Sequence, residues 1–188
     1  MNHPSLVIGL GVTRQVGKDT LFQRLNALSP RFRRFSAADR LKSDLAPFIL
    51  ERFGIDIWTA DGEAKEMIRP LLISYGMCQR ERDAGYWIKQ VLRQIDDAAE
   101  HHPSIIPVVT DVRFPNEASY LSNHYNGAFR LIHLTREGAP SPTDEELKHY
   151  PTMKEMADMD LHWGPDTIES QLARAREVCE TFGVALNA

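Results

Sequence analysis

The sequence predicts an α/β fold in which a parallel sheet is covered by helices on both faces. Three apolar runs of strand length, SLVIGLGV (5–12), SIIPVVT (104–110) and AFRLIHLT (128–135), are continuous rather than alternating. Continuous apolarity marks strands buried on both faces. Segments with apolar residues at helical spacing follow these runs, and strand-like and helix-like stretches alternate along the chain.

Taken in order, Ser5–Val12 reads as the first strand and Lys18–Leu28 as the helix after it. Phe32–Ala37 is a short second strand, followed by a helix over Asp39–Phe53. Asp56–Gly62 is loop-like, and Pro70 starts or kinks a helix running to about Cys78. Trp87–Ala99 places Ile88, Val91, Leu92 and Ile95 at helical spacing, which predicts one buried face. Ser104–Thr110 is the next strand, and Pro115 suits the first turn of the helix that follows. After the strand Ala128–Thr135, the polar segment Glu137–Thr152 carries Pro140, Pro142 and Pro151. It is expected to be loop-rich and to serve as a small lid over about 136–156. Leu161-His162-Trp163 is a short last strand, and Ile168, Leu172, Ala175, Cys179 and Phe182 line one face of a C-terminal helix. No internal repeat or low-complexity tract interrupts this order.

At 188 residues the chain suits one domain, and that length buries roughly 70% of the unfolded surface without a disulfide or metal. With 43% hydrophobic and 26% charged residues and a formal net charge of −4, it offers no global attraction to nucleic acid or anionic membrane. Any affinity for phosphate must be local. Cys78 and Cys179 form no CxxC pair, which fits a reducing cytosol. The first residues lack a basic, long apolar leader, and no run approaches the ~20 apolar residues of a membrane span. The expectation is a cytoplasmic monomer or homodimer with small-molecule partners, no membrane association and no stable nucleic-acid binding.

In doubly covered parallel sheets, ligands bind at the carboxyl ends of the strands, here just after Val12, Ala37, Thr110 and Thr135. After the first strand comes GLGVTRQVGKDT, residues 9–20. Its Gly17-Lys18 pair fits the G-x-x-x-x-G-K-[ST] phosphate-binding pattern, but Val12 stands at the first glycine and Asp19 at the Ser/Thr position. Thr13, Arg14, Gln15, Val16, Gly17, Lys18, Asp19 and Thr20 form the candidate loop. Backbone N–H groups and a helix N-terminus would face an anion there. Gly17 permits close approach, Lys18 supplies charge and Thr20 a hydroxyl. Asp19 is either a magnesium contact or an acid favoured by the helix dipole. A negative φ at Val12 is expected; a positive one would mean a strained loop.

TDVRFPNEA (110–118) puts Asp111 at a strand end, where a carboxylate can hold Mg²⁺ through water; the ordinary reading is a turn or cap residue. Arg113 suits bidentate phosphate binding or a surface ion pair with Glu117. In SAADRLKSDL (36–45), Asp39 is a helix cap or an acceptor contact. Arg40 and Lys42 in the first turn call for a shared anion or are solvated surface charge. The stretch 68–87 gathers Arg69, Arg80 and Arg82 near Tyr75, Tyr86 and Trp87, a composition that suits a nucleotide or, for each aromatic alone, the core. Arg136 follows the last long strand, where a cation can meet developing charge.

Together IGLGVTRQVGKDT, FSAADRLKSDLA, LLISYGMCQRERDAGYWIKQV, VVTDVRFPNEA, RLIHLTREG and DLHWGPDTIESQL resemble the deoxynucleoside monophosphate kinases of phages and prophages. That family consists of P-loop kinases of the adenylate-kinase-like type. The pieces appear in the family's order across nearly the whole chain, and GKDT and DVRFPNEA are the most specific. The resemblance implies a three-layer P-loop NTPase fold with a five-stranded parallel sheet, a small lid and a helical acceptor region over about 39–100. It also implies ATP with Mg²⁺ as donor and a deoxynucleoside 5′-monophosphate as acceptor. Lys18, Asp19 and Thr20 would then serve ATP and magnesium, and Asp111 would be the strand-end acid. Arg113 would hold a phosphate, while Asp39, Arg40, Lys42, Arg69, Arg80 and Trp87 would line the acceptor side. Departures from the family pattern fall at Val12, around Tyr75-Gly76-Met77, within Ser141–Glu155 and at Gly164-Pro165.

The reaction so implied is in-line γ-phosphoryl transfer, aided by positioning and charge neutralisation from Lys18, Asp111, Arg113 and Arg136. Rival readings are a P-loop kinase for another acceptor, such as phosphomevalonate or a modified base in DNA, and a non-catalytic nucleotide-binding protein. The acidic net charge disfavours the DNA version.

Overall fold

The computed structural model describes residues 3–13, 15–142, 144–164 and 167–186. Five strands, β1 (Val7–Val12), β2 (Phe32–Phe35), β3 (Ile106–Val112), β4 (Phe129–Arg136) and β5 (Met159–Trp163), form one sheet in the order β2-β3-β1-β4-β5. Every pairing is parallel, so each strand is joined to the next through helices. These are α1 (Lys18–Leu28), α2 (Ala37–Phe53), α3 (Gly62–Arg82), α4 (Tyr86–His101), α5 (Pro115–Tyr125) and α6 (Asp144–Glu155), with α7 (Ile168–Thr181) closing the described chain.

The alternation of β1 side chains explains the layers. Ile8 and Leu10 are fully buried with Leu21 and Leu25 of α1, Leu161 of β5 and Val178 of α7. Val7 points the other way, into a cluster with Val91 and Ile95 of α4, Leu121 of α5 and Met153 of α6. Two helical layers thus sandwich the sheet, and truncating any of these aliphatic side chains to Ala would cost about 2–5 kcal/mol. Gly9 lies between them because a Cβ there would stand 2.8 Å from the Phe129 ring. A smaller cluster of Ile49, Ile57 and Ile68 holds α2 and α3 together beside the sheet. Among the described residues, no helix is long and apolar enough to cross a membrane.

Several elements differ from the sequence expectation. α3 begins at Gly62 and carries Pro70 in its interior; the strong helix formers Glu63, Ala64, Lys65 and Glu66 before the proline extend it backwards. The segment expected to be loop-rich contains α6, a crossover helix between β4 and β5 with Pro151 inside it. Its single well-buried anchor is Met153, too little to give a visible apolar stripe. Finally, α2 starts at Ala37 rather than Asp39, and Asp111 and Arg136 lie within their strands rather than beyond them.

Candidate active site

All five strands point their carboxyl ends at one edge, and β1 delivers the phosphate-loop candidate there. Val12 closes β1 in register with Leu134, so its backbone is extended with the negative φ of a strand. The positive angles fall later, at Gln15 (φ 60°) and Gly17 (φ 86°); Arg14 lies outside the described residues. Val16 is buried with Leu10 and Leu21 and anchors the loop to the core. Gly17 caps α1, accepting from the Leu21 N–H at 2.9 Å, and the first N–H groups of a helix have no intrahelical partner and can meet an anion.

The charged side chains around the loop form a chain. Lys18 Nζ donates to Asp19 Oδ1 at 2.8 Å, and Arg34 Nε of β2 lies 3.9 Å from the same oxygen. Arg34 also pairs with Asp39 through Nη1 and Oδ2. Arg34 therefore bridges the phosphate loop to the start of α2, a role the sequence did not disclose because nothing marks it among Arg31, Arg33 and Arg34.

Asp111 is placed beside this group but its carboxylate is already engaged. Oδ2 accepts from Ser36 Oγ at 2.8 Å and from Ala38 N at 3.0 Å, and Oδ1 accepts from Ala37 N at 3.1 Å. It caps α2 from a neighbouring strand, which the residue at the cap position, Ser36, does not do for itself. Arg113 follows at the strand end. Its guanidinium faces Glu146 of α6 at 3.7 Å, and the ion pair expected with Glu117 is replaced by a bond from Arg113 N to Glu117 Oε2 at 2.9 Å. Burial pushes the Glu117 carboxyl above its ordinary range, against the opposing pull of Arg80 2.6 Å away.

The remaining acceptor-side expectations separate. Arg40 pairs with Asp44 one turn on, and Lys42 lies over the Trp58 ring, 5.4 Å from its centroid. Arg69 pairs with Glu66 on the exposed face of α3. Trp87 is a correction: it is 2% exposed, donates its indole N–H to Gly76 O at 3.0 Å and packs edge-on against Tyr75 and Tyr86. It is a core residue that joins α4 to α3. Tyr75 in turn donates to Asp44 at 3.1 Å, and burial raises its phenol above the ordinary range.

Two recesses open at the strand ends. One is lined by Gly17, Thr20, Arg136, Trp163, Gly164 and Gln171; the other by Thr13, Arg113, His133, Glu146, His149 and Tyr150 among others. In the first, Trp163 is 3% exposed and its Nε1 has no hydrogen-bond partner among the described residues. That buried donor lies where a Cβ on Gly17 would be 3.4 Å away. An unmade buried N–H of this kind costs ~1–3 kcal/mol, and it stands beside Gly17 of the loop. Sequence reading took Trp163 only as the end of a strand.

No family model matches the chain, and no curated protein matches it. Among solved structures, a dephospho-CoA kinase from Campylobacter jejuni is similar over 94% of this chain and 96% of its own, with TM-score 0.53 and 12% identity. A sugar kinase from a Janibacter species is similar over 98% and 100%, with TM-score 0.51 and 12% identity. A Thermus thermophilus protein is similar over 95% and 97%, with TM-score 0.51 and 12% identity. The chain shares the fold of these structures, a five-stranded parallel sheet flanked by helices. At the β1–α1 turn Lys18 follows the left-handed Gly17, and the unpartnered Trp163 N–H stands beside that glycine. The hard oxygens of Thr20, Asp19 and Asp111 are of the type magnesium takes.

Proposed function

We propose that the chain is an ATP-dependent kinase that transfers the γ-phosphoryl group to a (deoxy)nucleoside 5′-monophosphate, giving the diphosphate. The observation that carries this reading is the cradle at the β1–α1 turn. Gly17 is in the left-handed conformation there, Lys18 follows it, and the buried Trp163 N–H beside it awaits an acceptor. The ordered run of matching segments, from GKDT through DVRFPNEA, supports the nucleotide acceptor.

In this reading the loop N–H groups of 13–18 and Lys18 hold the ATP phosphates, with Arg136 and Thr20 at the same recess. Thr20, Asp19 and Asp111 would hold Mg²⁺, which supplies charge neutralisation on the phosphates when bound. Lys18 is released from Asp19 to the phosphates, and Arg34 then holds Asp19 alone. The acceptor phosphate, oriented by Arg113 and by Arg34, which Asp39 holds at the head of α2, attacks the γ-phosphorus. The bond to the β–γ bridging oxygen breaks and ADP leaves. A phosphate oxygen is already a nucleophile, so no strong general base is needed, and positioning with electrostatic stabilisation carries the rate.

The test is a coupled ATP assay across the four dNMPs, dUMP analogues and phosphomevalonate, with wild type and Lys18→Ala. Turnover of at least one nucleotide is expected, falling by roughly 10³-fold or more in Lys18→Ala, by analogy with the loss of a preorganised charge-stabilising group. Turnover of phosphomevalonate alone would assign a different acceptor. ATP binding with no turnover of any acceptor would replace the kinase reading with a nucleotide-binding protein.

A further inference from the structure

One cluster of metal-ligand side chains lies apart from the phosphate site. His3 precedes β1, Asp96 sits on α4 and His124 in the last turn of α5. One ligand atom from each lies within 4.8 Å of the other two. His124 Nε2 is 2.9 Å from Asp96 Oδ2, and His3 Nδ1 is 3.7 Å from Asp96 Oδ1. Tetrahedral zinc with bonds of about 2.0–2.1 Å sets neighbouring donors roughly 3.3 Å apart; the two imidazoles approach different Asp96 oxygens at 2.9 and 3.7 Å, and all three donors lie within 4.8 Å, so side-chain rotation brings them to one ion.

The surroundings resemble a supported site more than a chance surface pair. Tyr125 Oη donates to Asp96 Oδ1 at 3.2 Å, the kind of outer hydrogen bond that orients a ligating carboxylate. The two imidazoles pack edge-to-face with centroids 5.1 Å apart, and His3 also packs edge-on against the Tyr125 ring at 5.7 Å. Each ligand comes from a different part of the chain, and all three side chains are partly open to solvent, from 19% to 42% exposed. His3 lies before β1 and His124 before β4, so the cluster belongs to the amino ends of the strands, opposite the phosphate loop.

We propose that His3, Asp96 and His124 bind one divalent transition-metal ion, with zinc suited to a donor set of two imidazoles and a carboxylate. A water completes the tetrahedron. The ion fastens the segment before β1 to α4 and α5.

The test uses the metal-freed full chain without nucleotide, titrated with Zn²⁺ by calorimetry and with Co²⁺ by visible absorption. One Zn²⁺ per chain and a tetrahedral Co²⁺ absorption band are expected. Zn²⁺ affinity falls at least tenfold in each of His3→Ala, Asp96→Ala and His124→Ala, and saturating Zn²⁺ raises the melting temperature of wild type but not of His124→Ala. Far-ultraviolet circular dichroism checks that each variant is folded. Absence of stoichiometric Zn²⁺ binding would overturn the proposal. So would binding that persists undiminished in a folded Asp96→Ala/His124→Ala double variant, which would place the metal elsewhere. The readout is metal binding and melting, so it stands or falls separately from kinase activity.

Discussion

Arg80 Nη2 lies 2.6 Å from Glu117 Oε1 and ties α3 to α5. Glu117 is 3% exposed, and its second oxygen accepts from the backbone N–H groups of Arg113 and Phe114. The Arg80 guanidinium also sits 4.4 Å over the Phe114 ring. One buried carboxylate therefore shapes the turn that presents Arg113. Arg80→Ala leaves that carboxylate buried with no cation and should destabilise the fold by about 3 kcal/mol. The double variant Arg80→Ala/Glu117→Gln should recover part of the loss, because it removes the uncompensated charge. Urea unfolding of wild type, the single variants and the double variant measures the coupling. A cost below ~1 kcal/mol for Arg80→Ala would mean that solvent, not Arg80, balances Glu117.

Asp111 holds α2 in place by accepting three hydrogen bonds at its N-terminus. Asp111→Ala should lower stability by about 2 kcal/mol, the scale of a lost cap plus an unpaired hydroxyl. Asp111→Asn keeps one acceptor oxygen and should cost less. If the residue also serves magnesium, both variants lose turnover, and Asp111→Asn does so with the fold nearly intact. Unfolding midpoints measured beside turnover separate the two roles.

Gly17 and Trp163 line the same recess at the strand ends. At φ 86° a side chain at position 17 costs ~1–2 kcal/mol, and its Cβ would meet Trp163 Nε1 at 3.4 Å. Gly17→Ala should therefore lose about 1 kcal/mol of stability and at least tenfold in ATP affinity. Trp163→Phe removes the unpartnered N–H while keeping an aromatic ring in the core. It should weaken ATP binding several-fold with little change in unfolding midpoint. Unchanged ATP affinity in Trp163→Phe, measured by calorimetry, would show that this donor does not serve the nucleotide.

The parts of the fold legible in the sequence were those whose signal is local. β1, β3 and β4 are mostly apolar, and α4 carries a regular apolar stripe, so each announced itself, although β3 and β4 run past the apolar run to Val112 and Arg136. Gly17-Lys18 follows the end of β1 and Asp111-x-Arg113 spans the end of β3, and both were readable for the same reason. α6 was hidden because its anchoring rests on Met153 amid polar residues, and the first half of α3 because Pro70 looks like a start. Arg34, Ser36 and Trp163 acquire their importance only from neighbours on other strands. Trp87 misled in the opposite sense: an aromatic beside arginines in sequence faces the core in space.

The two cysteines should differ sharply in chemistry. Cys78 is exposed on α3, whereas Cys179 is buried between α7 and the sheet, and burial pushes its thiol up from 9.0 to about 11. The thiolate is the reactive form, so at pH 8 a thiol reagent should label Cys78 alone, with Cys179 reacting only after unfolding. The same shift makes stability depend on pH. From about pH 9 to about 11 the unfolded chain releases the Cys179 proton while the folded chain keeps it. The folded state then binds more protons, and stability falls as pH rises through that window. Tyr125, also raised by burial, adds to the fall in the same direction, so the Cys179 share is the difference between wild type and Cys179→Ala. Urea unfolding at pH 8, 9.5 and 10.5 should give a shallower decline for Cys179→Ala than for wild type. Equal declines in wild type and Cys179→Ala would mean that Cys179 ionises alike in the folded and unfolded chain.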